Sequence, residues 1–270
     1  MNACERGARA LLYCESMRML RATLCCLTLS SIAGSALAQA PPKEPPPLWD
    51  SSVGASFVGT SGNSETTTFG ADFQMHRRWP VWQIEATASA VNTTDRGTTT
   101  AERYLGSFRA KRALTSVVSF TAGERAERDR LAGIDFRSIL DAGLSYALVR
   151  DPRWTLDGLT SLAWNHEKAV LGRDLDDPAA VLQLLSRTLF SATADSTQRF
   201  TYYPDLRTSS LYRSEAELTV QAAMNSRLAL KVGYLWRYSN APVPGFVKND
   251  STATASIVVR WKSALAAPNP

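Results

Sequence analysis

Cysteine is scarce and confined to one end. All four cysteines (Cys4, Cys14, Cys25 and Cys26) lie within the first 26 residues. A body without thiols excludes a disulfide scaffold and a cysteine nucleophile. It suits a chain that crosses an oxidising compartment unfolded, where thiols would mispair. Histidine is almost as rare, with only His76 and His166. No G-x-S-x-G, H-E-x-x-H or P-loop pattern occurs, so the familiar serine-hydrolase, zinc and phosphate motifs are missing. Also missing is a run of about twenty consecutive apolar residues, the length a helix needs to cross a bilayer. With a mean hydropathy of -0.17, helical spans are excluded. A barrel is not, because only alternate residues of its strands face lipid. The net charge of +5 contains no Lys/Arg block, which excludes nucleic acid as a partner.

The first 38 residues read as an export address. Arg18 and Arg21 supply a positive start, residues 24–32 an apolar stretch, and Ala36-Leu37-Ala38 a small-x-small cleavage site. The stretch is too short for a comfortable membrane-spanning helix. Lipidation at Cys25 or Cys26 is disfavoured, because the apolar run continues past them. Residues 1–16 fit no part of such a signal, so translation is expected to begin at Met17 or Met19. Residues 39–47 (QAPPKEPPP) form a proline-rich, extended leader. Residues 48–262 form the folded domain, and 263–270 a tail.

From Leu48 to Trp261 the dominant period is two, the period of a strand. Leu228, Leu230, Val232, Tyr234, Trp236 and Tyr238 share one parity; Ala229, Lys231, Gly233, Leu235 and Arg237 share the other. Phe69, Ala71 and Phe73 oppose Gly70, Asp72 and Gln74. Ile134, Phe136, Leu140 and Leu144 oppose Asp135, Arg137, Asp141 and Gly143. The segments run roughly ten to fourteen residues, against about five or six for a soluble strand. A tilted membrane strand needs about nine to eleven. Trp49, Trp82, Trp154, Trp164, Trp236 and Trp261 gather near segment ends, as interfacial girdles do.

Connections give a second test. Alternate connections are long, at 60–65, 93–100, 129–133, 168–178, 204–209 and 239–249. Those between them are tight, at 78–80, 114–116, 150–153 and 225–226, with 191–197 the exception. Long loops on one rim and short turns on the other mark outer-membrane barrels. The expected fold is an all-β, antiparallel transmembrane barrel of about twelve strands. Alternation blurs between Val181 and Asp205, where a helix is the alternative.

Several stretches resemble the salt-induced outer-membrane protein family (DUF481). They are TSGNSETTTFG at 60–70, TTAERYLGSFRAKRAL at 99–114, ERDRLAGIDFRS at 127–138 and DAGLSYALV at 141–149. YRSEAELTV at 212–220 and LALKVGYLWRYSNAPVPGFVKND at 228–250 continue the series. The resemblance implies an outer-membrane barrel and a link to salt or osmotic stress. It implies no catalytic residues. Barrels of this kind usually end on an aromatic residue, whereas here KSALAAPNP follows Trp261.

No enzyme, cofactor or metal site is expected. His76 falls on the polar face, where a lumen hydrogen bond is the simplest role. A barrel phospholipase would need a serine and a histidine facing lipid at the outer rim, and His166 shares parity with Trp164. Glu124, Glu127, Asp129 and Asp135 alternate with arginines and read as ion pairs. Asp174, Asp176 and Asp177 lack the glycine turn and terminal glutamate of a calcium loop. The predicted lumen lining includes Arg103, Arg109, Lys111, Arg125, Arg137, Asp141, Arg213, Glu215, Glu217, Lys231 and Arg237. Such a lining either passes small anionic solutes or pairs across the interior and plugs it. The expected partners are outer-membrane lipids and, during insertion, the barrel-assembly machinery.

Overall fold

The structure, a computed structural model, describes residues 48–59, 66–172 and 174–262. The expected signal segment, leader and tail lie outside the described residues. Twelve strands follow in chain order: β1 (Trp49–Gly59), β2 (Thr66–Arg78), β3 (Trp82–Asp95), β4 (Thr98–Ala113), β5 (Val118–Asp129), β6 (Ile134–Arg150), β7 (Trp154–Ala169), β8 (Leu175–Leu189), β9 (Ala194–Pro204), β10 (Tyr212–Ala223), β11 (Leu228–Ser239) and β12 (Asn249–Lys262). Each pairs antiparallel with its chain neighbours. β1 also pairs with β12, from Asp50↔Lys262 to Ala55↔Ile257, and this closes the barrel. Closure satisfies every strand edge within the wall, which lipid demands because it offers no hydrogen bonds.

Parity sorts the side chains as alternation predicts. Phe73, Phe108, Phe120, Leu140, Leu162, Leu184, Val232 and Ile257 stand exposed on the outer wall. Their polar neighbours Thr121, Glu127, Arg137, Asp141, Ser161, Thr201 and Ser256 are buried inside. Strands of 11 to 17 residues are longer than a water-soluble sheet needs. An apolar wall of this extent requires a lipid surround.

Three sequence expectations need correction. The expected loop at 93–100 is a tight hairpin: β3 runs to Asp95, β4 starts at Thr98, and Arg96 (φ 47) and Gly97 (φ 78) both take left-handed conformations. Two positive φ values are what a two-residue turn between twisted strands requires. The connection at 191–197 is also short, with the Phe190 N–H donating to the Ala194 carbonyl at 2.9 Å. All five connections on that rim are therefore tight turns or short links. Asp135 lies in a bulge of β6, so it faces outward and meets Arg128 at 3.1 Å, while Ile134 turns inward and is buried. A bulge adds one residue to a strand and reverses parity beyond it. Val181–Asp205, where a helix was the alternative, runs from β8 through a short turn into β9. Alternation fades there because Ile139, Leu159, Val181 and Tyr203 form a small apolar cluster inside the lumen, leaving both faces greasy.

Candidate functional site

The barrel interior concentrates the polar chemistry, and it is organised in two levels. In the lower level, register places Arg109 on β4, Gly123 on β5 and Asp141 on β6 in one row. Arg109 reaches over the glycine to hold both Asp141 oxygens, at 2.6 and 2.9 Å. A Cβ on Gly123 would sit 3.0 Å from the guanidinium carbon of Arg109 and 2.9 Å from the Phe108 carbonyl oxygen. Glycine is therefore what lets the pair span two strands. Lys231 and Asp72 repeat the device at 2.8 Å, with Asp72 lying over Gly54. Gly123→Val is expected to break the Arg109–Asp141 pair and cost about 3 kcal/mol, since it strands a largely buried carboxylate. Urea unfolding of the lipid-reconstituted protein reads this. A change below about 0.5 kcal/mol would mean the pair forms around valine.

The upper level is a girdle of five arginines and five carboxylates. Glu127 lies at its hub, 2.5 Å from Arg137, 3.1 Å from Arg125 and 4.0 Å from Arg103. Arg137 also donates to Glu167 at 2.7 Å. Arg103 meets Asp129 at 3.3 Å, and Arg237 donates to the same carboxylate. Asp250 lies 3.9 Å from Arg237. Arg125 clamps Glu215 with two hydrogen bonds of 2.8 and 3.0 Å and donates to the Tyr203 hydroxyl at 3.2 Å. Arg213 is packed against the Tyr203 ring, 5.2 Å from its centre. Bidentate guanidinium–carboxylate contacts are the strongest type of ion pair, and here both partners are shielded from bulk water.

What matters is which strands these pairs join. β5 and β11 stand opposite one another in the ring, and β10 is next to that position. Arg237–Asp129 and Arg125–Glu215 therefore lie across the lumen rather than along the wall. Above them the connection between β11 and β12 folds inward. Val243 and Phe246 pack so closely on Gly133 (φ 74) that a Cβ there would meet the Phe246 ring at 2.6 Å. Pro244 lies over Gly172, and Asn240 donates to the Ser210 carbonyl at 2.8 Å. The loop is thus tied to three of the other connections on its rim.

Of the predicted lumen residues, the girdle gathers Arg103, Arg125, Arg137, Arg213, Glu215 and Arg237. Arg109, Asp141 and Lys231 belong to the lower level. Lys111 lies within electrostatic reach of Glu85 and Asp157, and Glu217 pairs instead with Arg199 at 3.1 Å. Asp129 was expected in a loop; it ends β5, facing inward, and its side chain also accepts from the Ala132 N–H at 3.2 Å. Glu167 escaped notice, although its parity opposite Trp164 and His166 marks it as inward-facing. On the outer face, Ser138 on β6, His166 on β7 and Asp176 on β8 share one register row. The Ser138 hydroxyl, however, donates to Glu124 at 3.0 Å, and His166 lies 3.8 Å from Asp176.

A closed antiparallel barrel with an apolar wall and a charged interior defines an outer-membrane β-barrel with a porin-like fold. The chain belongs to the family described as "Protein of unknown function, DUF481", whose family model matches residues 53–261. No curated protein matches it. Among solved structures, the chain is similar to the NanC porin at 11% identity and a TM-score of 0.45, covering 80% of this chain and 100% of that one. An outer-membrane channel from Pseudomonas putida F1 shares 10% identity over 84% of this chain and 98% of that one, with a TM-score of 0.43. The KdgM porin in complex with disordered oligogalacturonate shares 8% identity over 80% and 99%, with a TM-score of 0.38.

Proposed function

We propose that the protein is an outer-membrane barrel held closed to solutes by charge pairing across its lumen, with a structural or stress-response role rather than bulk transport. One observation carries this: Arg125 and Asp129, both on β5, bond Glu215 on β10 and Arg237 on β11 across the ring. A twelve-stranded barrel falls between small barrels filled by side chains and open porins. Its contents therefore decide whether it conducts. On this reading it is not an enzyme, its partners are outer-membrane lipids, and the barrel-assembly machinery inserts it.

Planar-bilayer recording of the refolded protein is expected to show no steady conductance. The double variant Asp129→Asn, Glu215→Gln removes both cross-lumen carboxylates and leaves the arginines, so it should give anion-selective steps. Steady steps from the unaltered protein would overturn the closed reading. They would favour a small anion pore, which the basic side chains Arg109, Lys111, Arg187 and Arg199 lower in the barrel also suit.

A further inference from the structure

Beneath the inward-folded β11–β12 loop lies a cavity of about 60 Å³. We infer that this cavity binds a small monocarboxylate with a short apolar tail, the carboxylate seated on Arg213 and the tail under the loop. The inference rests on the closed-lumen reading, because the paired girdle that closes the barrel also supplies the floor of the site.

The floor is cationic, with Arg137, Arg213 and Arg237 all lining it. Arg137 is taken up by Glu127 and Glu167, and Arg237 by Asp129. Arg213 differs. Among the described residues no carboxylate lies within ion-pair distance of it, and its one hydrogen bond goes from Nη2 to Asn165 Oδ1 at 3.3 Å. A guanidinium withdrawn from bulk water, with Glu167 and Glu127 acting on it only beyond ion-pair distance, gains from an anion in direct contact. The planar fork of arginine matches a carboxylate with two parallel N–H···O bonds. The roof is apolar, formed by Pro242, Val243 and Val247 of the loop. Lys248 stands at the edge of the cavity, and no acid among the described residues lies within ion-pair distance of it.

Charge selects the class of ligand. Glu167, Glu215 and Asp250 also line the cavity, so a multiply charged anion would meet more repulsion than a single carboxylate does. A polar floor below an apolar roof likewise favours a short-chain acid over an inorganic ion.

The test uses the full chain refolded in detergent, with sodium propionate as the probe and the thermal unfolding midpoint as the readout. Propionate should raise the midpoint saturably, with half-effect at about 1–10 mM, a binding free energy of about 3–4 kcal/mol. Sodium chloride at matched ionic strength and neutral propionamide should not. Arg213→Gln should abolish the rise. Lys248→Gln, at an exposed loop position, should shift half-saturation several-fold upward and leave the ligand-free midpoint in place. No rise with propionate, an equal rise with propionamide, or a rise undiminished in Arg213→Gln would each overturn the site. Phosphate acting as strongly as propionate would overturn its carboxylate selectivity. The closed-lumen reading fails separately, on conductance measured without propionate. A silent barrel indifferent to propionate removes only this site.

Discussion

Replacing Glu127 by alanine is expected to lower folding stability by about 3–5 kcal/mol, the largest loss from any single lumen substitution. Glu127 is buried and faces three guanidiniums, from β4, β5 and β6. Removing it leaves those charges crowded in a space that bulk water does not reach. Each retains a second carboxylate: Asp129 for Arg103, Glu215 for Arg125 and Glu167 for Arg137. That remaining pairing keeps the expected loss near the lower end of the range. Glu217→Ala is the control. Its pair with Arg199 is over a third exposed on both sides, and exposed pairs contribute about 0–1 kcal/mol. Reversible urea unfolding in lipid vesicles reads both variants. Equal losses would mean that the girdle is solvated and holds nothing across the lumen.

How far this girdle was legible in the sequence follows from what parity can and cannot carry. Period-two alternation is a local property, so it placed Arg125, Arg137, Arg213, Glu215 and Arg237 on the inner face one strand at a time. It failed where the backbone departs from the pleat. Asp129 opens a turn with the chemistry of a cap, and an aspartate that caps a turn reads as loop even when it also faces the lumen. The bulge at Asp135 reversed the expected facing of Asp135 and Ile134. At Val181 and Tyr203 the inward-facing side chains are themselves apolar, which weakens the contrast that alternation depends on. Partnership across the barrel was not legible at all. Which inward residues meet depends on strand stagger and tilt around the closed ring, quantities set by all twelve strands together. The inward fold of the β11–β12 loop is equally hidden. It depends on Gly133 and Gly172, more than seventy residues upstream, leaving space for Phe246 and Pro244.

Leu162→Arg is expected to cost about 2–4 kcal/mol and to reduce insertion yield sharply, because Leu162 stands on the outer wall midway along β7. It is among the most exposed large apolar residues of the barrel, at 70%, and is flanked in register by Ala142 and Ala180. Small neighbours leave the side chain projecting, with no acidic partner in its row. In a water-soluble sheet, an exposed leucine exchanged for arginine changes stability by about 0.5 kcal/mol or less. In lipid the same change pulls a charge into hydrocarbon. The arginine must then stretch toward an interface or thin the bilayer around it. Leu162→Phe keeps the surface apolar and should insert normally. Heat-modifiable electrophoretic mobility after refolding into vesicles measures insertion, and urea titration measures the free energy. The sign of the arginine effect tests the solvent directly. If Leu162→Arg folds as well as the parent chain in vesicles, or folds better in plain buffer, the outer wall faces water and the twelve strands are not a membrane barrel.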